Sequence, residues 1–288
     1  MRVQVIHAHF DDFELSACGL FTLWRRHLGP DFTGEVVVCT DGRAGHHKLT
    51  REETGQIRLL EQENSARIGN FSFRQLRLPD GSLPREACLQ VDQPLLAALW
   101  KTIREFRPDY LICPPLPGDP LAGMHIDHAA VAEAIRKVAY MINVPHAFTP
   151  EYPDDGPAVP CTVPIILTTD DVYSKGSDGY ELAINIEEAF AQVCACAWCH
   201  QTQFTQWLPW VAAPTRHPTP RSLADLTEQL RKRSLASNRH RNITSPHAFE
   251  LFSVTQWGRT TDIDTLLRDI PGIDLSASRL GPLRQRLA

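Results

Sequence analysis

The stretch His7-Ala8-His9-Phe10-Asp11-Asp12-Phe13-Glu14 decides how this sequence reads. It follows the first apolar run, Val3 to Ile6, a short buried strand by pattern, and precedes a segment with helical spacing. Two imidazoles and three carboxylates gathered at the end of a buried strand are costly to desolvate unless something positive compensates them. A divalent cation is the simplest compensation. His9 and Asp12 are three positions apart, so a turn opening into a helix lets both face one point, with Asp11 beside that point but free of it. A further ligand must come from elsewhere. His125-Ile126-Asp127-His128, which opens the helical stretch Ala129 to Met141, supplies a candidate. Ligands of the type His, Asp, His leave a fourth position for water, the pattern of a catalytic zinc site rather than a closed structural one. A lone His-x-x-Asp carries little weight, because surface pairs of this kind are common. Two such clusters, each after an apolar run and before a helix, carry more.

Working outward, strands alternate with helices. Glu14 to Leu28 reads as a helix stopped by Gly29-Pro30, Glu35 to Cys39 as a β-branched strand, and Thr50 to Ile68 as a charged helix. Arg74 to Leu78 is a third strand candidate, Val91 to Phe106 a helix, and Tyr110 to Cys113 a fourth strand. This alternation implies crossover units and an α/β, Rossmann-like, mostly parallel sheet flanked by helices. Ligands of such sheets bind beyond the carboxyl ends of the strands. Both clusters and Thr40-Asp41-Gly42 lie just after strand candidates, so one edge of the sheet is expected to carry them all. No Gly-x-Gly-x-x-Gly follows the first strand, which disfavours dinucleotide binding.

After Val144 the character changes. Residues 145 to 164 carry six prolines and Asp154-Asp155-Gly156, and read as a long loop. Val163 to Leu167 reads as a strand and Leu182 to Trp207 as one helix, and Leu208 to Pro220 is proline-rich and aromatic. Leu223 to Leu235 reads as a charged helix and Phe249 to Trp257 as a strand near the sheet edge. A boundary near residue 175 divides a core, residues 1–175, from a C-terminal extension, residues 176–288. The extension is either plain structural packing or a lid over the pocket.

His9-Phe10-Asp11-Asp12-Phe13-Glu14, Thr40-Asp41-Gly42 and His125-Ile126-Asp127-His128, in this order, resemble the PIG-L (LmbE-like) family of zinc-dependent N-deacetylases. The resemblance covers roughly residues 1 to 145. It implies His9, Asp12 and His128 as zinc ligands, Asp11 as general base and His125 in an electrostatic or acid role. Asp11 also suits the base role by position, adjacent to a ligand but pointing elsewhere. Asp127 is expected either to hold His125 protonated or to cap its helix. Arg58-Leu59-Leu60-Glu61 resembles the family's Arg-x-x-Glu, whose arginine reaches sugar hydroxyls; a solvated helix salt bridge is the plain alternative. Asp80 in Pro79-Asp80-Gly81 either meets a hydroxyl or only makes a turn. Asp41 is expected to order the loop behind the ligands, Gly42 to let backbone approach a ligand closely, and Glu14 to support the site. Two departures stand out. Phe10 replaces the proline of most relatives, so packing must stiffen the loop. Gly123 stands where some relatives carry a tyrosine.

Cys196-Ala197-Trp198-Cys199-His200 matches the spacing of covalent haem attachment, but that chemistry normally needs export, and Met1-Arg2 runs directly into a strand. Small apolar helix residues are the default reading of Cys194, Cys196 and Cys199, and a metal site there the lesser one. His200-Gln201-Thr202-Gln203 resembles a His-x-Ser-Gln segment of PIG-L relatives, with helix packing the simplest role.

The bulk numbers set limits. With 288 residues, 43% hydrophobic and 22% charged, the composition is that of an ordinary globular chain. A net charge of -5 gives no case for nucleic acid, and no apolar run of about 18 residues suggests a membrane span. Eight cysteines without a secretory signal suggest reduced thiols and a cytoplasmic setting. The expected function is zinc-dependent removal of an N-acyl, above all N-acetyl, group from an amino sugar or N-acetylglucosamine-type conjugate. Homo-oligomerisation is left open. The competing readings are a zinc amidase for a non-sugar or thiol-conjugate amide, and a non-catalytic binding protein on the same scaffold. His and carboxylate ligands also suit iron or manganese.

Overall fold

A computed structural model describes residues 1–119, 121–153, 161–171, 179–212 and 218–288. In chain order the elements are β1 (Arg2–His7), α1 (Asp12–Ser16), α2 (Cys18–Leu28), β2 (Thr33–Val38), α3 (Arg51–Gly69), β3 (Ser72–Gln75), α4 (Gln93–Phe106), β4 (Tyr110–Cys113), α5 (Ile126–Ala139), β5 (Ile165–Thr169), β6 (Leu182–Asn185), α6 (Phe190–Ala197), α7 (Leu208–Val211), α8 (Leu223–His240), β7 (Phe249–Val254), α9 (Ile263–Asp269) and α10 (Leu280–Leu287). The strands form one sheet in the order β3-β2-β1-β4-β5-β7-β6. From β3 to β5 every pairing is parallel; β7 runs antiparallel to both β5 and β6.

Helices cover both faces of the sheet, so the inner strands are apolar on both sides. Val3 and Val5 of β1 belong to one core with Phe13, Phe21, Trp24 and Tyr110. Ile6 belongs to the opposite core, with Leu99, Trp100, Val131 and Ile135. The chain builds outward from β1 to β2 and β3, then returns to place β4 on the other side of β1. The reversal between β1 and β4 opens a crevice at their carboxyl ends, where α/β sheets bind ligands. Capping fixes the flanking helices. Thr50 and Glu53 form a reciprocal capping box at the start of α3, and Asp92 accepts from Leu95 N at the start of α4.

Two sequence expectations need correction. The helix over residues 14–28 is broken at Ala17, whose backbone sits at φ -146 and ψ -1. The break separates α1, tied to the strand end by Ser16, from α2, whose Gly19 and Leu20 N–H groups donate to Glu250 on β7. The single helix over residues 182–207 is instead strand β6, then α6, then a π-helical turn, Thr202–Trp207. Leu182-Ala183-Ile184 is a short apolar run, which periodicity alone cannot assign to strand or helix. The extension therefore supplies two strands of the main sheet. The boundary near residue 175 and Asp154-Asp155-Gly156 lie outside the described residues. Among the described residues no helix is long and apolar enough to cross a membrane.

Candidate metal centre

The loop after β1 and the first turn of α5 meet across the crevice. His9 Nδ1, Asp12 Oδ2 and His128 Nε2 form a triangle with sides of 3.3, 3.2 and 3.1 Å. A four-coordinate cation with bonds of about 2.0–2.1 Å places neighbouring donors about 3.3 Å apart. The two histidines are oriented in the way metal ligands usually are, with the other ring nitrogen on a carboxylate. His9 Nε2 lies 3.0 Å from Asp127 Oδ2, and His128 Nδ1 lies 2.8 Å from Asp171 Oδ2. The residues present thus fit a divalent ion. A second group, His9 with His125 and Asp127, also has its donor atoms close together. It is the poorer candidate, because Asp127 Oδ2 already accepts from Ala87 N at 2.6 Å as well as facing His9.

The electrostatics of the triangle ask for positive charge. Burial works to lower both imidazoles, yet the Asp12 carboxylate outweighs it, aided by Asp127 at His9 and Asp171 at His128, and lifts them to about 9 and about 10. Burial likewise opposes ionisation of Asp12, but His128 and His9 hold it well below the usual carboxylate range. A cation would replace those imidazole protons, since a ligating imidazole is neutral.

Asp11 stands beside this triangle. Its backbone is left-handed at φ 82, a conformation that Asp tolerates better than most residues. Arg58 fixes it there, donating to Phe10 O at 2.7 Å and to Asp11 Oδ1 at 3.2 Å. Burial pushes the Asp11 carboxyl up, Arg58 pulls it down and Asp12 adds to the rise, leaving it at about 6. Arg58 is only 2% exposed, and its remaining arm donates to Glu86. The expected arginine contact with sugar hydroxyls is therefore replaced by contacts to Phe10, Asp11 and Glu86; the solvated-helix alternative fails for the same reason.

Asp127 also departs from expectation. It is fully buried, accepts from Ala87 N and Leu89 N, and serves His9 rather than His125, which is 4.0 Å away. His125 caps α5 with its own ring, Nδ1 accepting from Asp127 N at 3.2 Å. Burial, then His9 and His128, depress the His125 pKa below its ordinary value, which favours its neutral form. Its ring centroid lies 4.5 Å from that of His9, and its side chain is 41% exposed.

The remaining candidates fall into place. Asp41 accepts from Glu86 N and Arg43 N and pairs with Arg51, ordering the loop as expected. Gly42 sits at φ +63, and a Cβ there would strike the Phe10 ring at 2.2 Å. The close approach is thus to Phe10, which is fully buried and also packs near Phe73. Asp80 is exposed, and its Oδ1 accepts from Ser82 N and Ser82 Oγ, as a turn residue does. Glu14 is fully buried, accepting from Gln62 and Ser65 and lying 3.2 Å from His200 Nε2. Burial opposes charge on both members, but their mutual attraction lowers the Glu14 pKa and raises that of His200, so each favours the other's charged form. His200 is thus a buried counter-charge, and Cys194 and Cys196 pack in the core.

Sequence reasoning missed Asp171, His7 and the turn from Glu86 to Leu89. Asp171 carried no local pattern. His7 Nδ1 lies 3.7 Å from Asp12 Oδ2, and its position in the opening motif was a usable signal. The turn was hidden because Ala87 adopts φ 64, which nothing in an alanine announces.

Residues 4–139 match the family model described as PIG-L: GlcNAc-PI de-N-acetylase. The matched stretch, just under half of the chain, is a PIG-L-like domain. That domain spans β1 to α5 and contains His9, Asp11, Asp12 and His128, whereas Asp171 and His200 lie beyond it. Among solved structures, N,N'-diacetylchitobiose deacetylase from Pyrococcus horikoshii is similar over 89% of this chain and 84% of that one, at 18% identity and a TM-score of 0.66. GalB, the 4-carboxy-2-hydroxymuconate hydratase from Pseudomonas putida KT2440, is similar over 91% and 98%, at 16% identity and a TM-score of 0.61. The A40926 pseudoaglycone deacetylase Dbv21 is similar over 90% and 98%, at 16% identity and a TM-score of 0.55. At these identities the likeness is one of fold. No curated protein sequence matches the chain.

Proposed function

We propose that this protein is a metal-dependent hydrolase that removes an N-acetyl group from an amino sugar or an N-acetylglucosamine-type conjugate, with zinc as the ion. The donor triangle with a buried carboxylate next to it carries the reading. It agrees with a family described as a de-N-acetylase and with deacetylases of sugar-bearing substrates on the same fold. His9, Asp12 and His128 would hold the ion, which when bound polarises the acyl carbonyl and acidifies water.

Asp11 takes the proton of the attacking water. With a pKa of about 6 it is ionised at pH 7 yet more basic than an exposed aspartate, which suits a general base. Arg58 holds it in place while the substrate arrives. After the carbonyl is attacked, Asp11 is positioned to return the proton to the departing amine. His125, neutral and half-exposed at the rim, donates a hydrogen bond to the developing oxyanion rather than a proton. Asp127 and Asp171 keep the two ligating rings in the required tautomer and orientation.

A second reading has support from the fold, since a hydratase shares it. A hydratase adds water to a carbon–carbon double bond and releases no acid. The test is acetate release from N-acetylglucosamine and its conjugates by zinc-loaded protein, with and without chelator. Chelator-sensitive acetate supports the deacetylase; hydration of an unsaturated acid without any acetate release supports the hydratase.

A further inference from the structure

His7 closes β1 at the alternate position that continues Val3 and Val5, both members of the apolar core. A hydrophobic residue would extend that pattern. An imidazole stands there instead, only 3% exposed. Its backbone is fixed, since Cys39 N donates to His7 O at 2.9 Å and His7 pairs with Val38 of β2. The ring lies between α1 and the donor triangle. Its Nε2 is 3.2 Å from Ser16 Oγ, its Nδ1 is 3.7 Å from Asp12 Oδ2, and its centroid is 6.3 Å from that of His128. A histidine buried for packing alone would have both nitrogens satisfied. Here Nδ1 is buried without a partner at hydrogen-bond distance.

One hydroxyl hydrogen decides what Nδ1 presents. Ser16 Oγ is 2.7 Å from Asp12 O, to which it can donate, and it also meets His7 Nε2. A hydroxyl has a single hydrogen. If that hydrogen stays on Asp12 O, the ring donates from Nε2 and turns a bare Nδ1 lone pair on the Asp12 carboxylate, which repels it. If it swings to Nε2, the ring carries its hydrogen on Nδ1, toward the carboxylate. The negative neighbour favours the second arrangement.

Asp12 is the group such a hydrogen can serve. Its Oδ2 accepts from His9 N at 2.8 Å and lies 3.3 Å from His9 Nδ1 and 3.2 Å from His128 Nε2. A ligating imidazole offers a lone pair, so with an ion bound neither ring donates to Asp12. Among the described residues, the N–H groups then left near Oδ2 are His9 N and His7 Nδ1.

We propose that His7 is a positioning residue of the metal centre, whose Nδ1–H aims the Asp12 carboxylate at the ion while Ser16 steadies the ring. This rests on the metal-dependent reading and completes it. His9 has Asp127, His128 has Asp171, and Asp12 has His7. The shift required is small, because 3.7 Å exceeds an ordinary N–H···O contact by only about 0.5–1 Å.

The test uses the shapes of two amides. The side-chain nitrogen of Asn stands close to where Nδ1 of a histidine stands, and that of Gln close to Nε2. Full-length protein is stripped of metal, and its zinc affinity is measured by competition with a chromophoric chelator. The melting temperature of the metal-free protein is recorded alongside. His7→Gln should bind zinc about 10–100-fold more weakly, the usual cost of losing the outer partner of a metal ligand. His7→Asn should recover most of that loss. His7→Leu, which fills the space without a donor, should bind no more tightly than His7→Gln. The proposal is overturned if His7→Gln binds zinc as tightly as wild type, or if His7→Asn is no better than His7→Gln. It is equally overturned if the three affinities follow the metal-free melting temperatures instead of the presence of a donor at the Nδ1 position. Wild-type protein that binds no zinc would strike the metal reading, and this proposal with it. Zinc binding without acetate release would strike the deacetylase reading alone, and the affinities would still decide the role of His7.

Discussion

At the scale of single residues, the account turns on Asp11 and the arginine behind it. Asp11→Asn keeps the side-chain shape but cannot accept a proton. We expect turnover to fall by roughly 10²–10⁴-fold with metal content unchanged, read by acetate release alongside elemental analysis. Only the ionised carboxylate acts as base, so kcat/KM should fall as pH drops, with its acid limb at or below about 6. Arg58→Lys keeps a charge but not the fork that reaches Phe10 O, Asp11 and Glu86 together. It should lower kcat far more than it raises KM, because the base is misplaced while the substrate's surroundings stay intact; a rise in KM alone would restore the sugar-contact role expected from sequence. These contacts also mark what could be read in advance. His9, Asp11 and Asp12 were legible as candidates from their short spacing, and the family resemblance implied His128 as their distant partner; the structure brings the three candidate ligands within 3.3 Å of one another. The partners of Arg58 and Asp127 were not, because those partners lie more than 25 positions away, several of them backbone atoms.

At the scale of elements, two buried carboxylates hold the start of the chain to its end. Glu14 on α1 faces His200, and Glu250 on β7 caps α2 through Gly19 N and Leu20 N. His200→Ala leaves Glu14 buried without its counter-charge, which should cost about 3–5 kcal/mol of stability; His200→Gln, which keeps a donor, should cost less, as read by thermal or denaturant unfolding. Glu250 behaves oppositely in pH. Burial raises it to about 7, against the pull of the two backbone donors, so between roughly pH 4.5 and 7 the folded chain binds this proton more tightly than the unfolded one. Its contribution is most favourable at low pH and is lost as pH rises through about 7. The melting temperature of Glu250→Gln relative to wild type should therefore improve from pH 5 to pH 8, both measured with chelator present. The turn from Glu86 to Leu89 works at this scale too, joining Arg58, Asp41 and Asp127 through Glu86 and two N–H groups. No sequence pattern revealed it, since its geometry depends on a left-handed alanine.

At the scale of the molecule, the parallel sheet and its crevice followed from the alternation of apolar runs with helical spacing. The strand now seen as β7 was also read, as Phe249 to Trp257 near the sheet edge, but β6 was not, because it is too short to show a period. That strand matters, since β7 and β6 cover the edge that β5 would otherwise expose. β5 ends at Thr169, and the residues after it serve the site: Asp170 pairs with Arg241 at the end of α8, and Asp171 orients His128. The second half of the chain thus orients the candidate ligand His128 from beyond the residues that match the family model. A chain ended at residue 171 should be insoluble or bind metal weakly, checked by expression, gel filtration and metal content.

The central claim is a cation held by the chain's opening turn and the start of α5. X-ray absorption of the zinc-loaded protein measures it most directly. The account predicts one zinc per chain with nitrogen and oxygen neighbours at about 2.0–2.1 Å, two of them imidazoles, lost in His128→Ala. A sulfur neighbour at about 2.3 Å, or the same spectrum from His128→Ala, would contradict it.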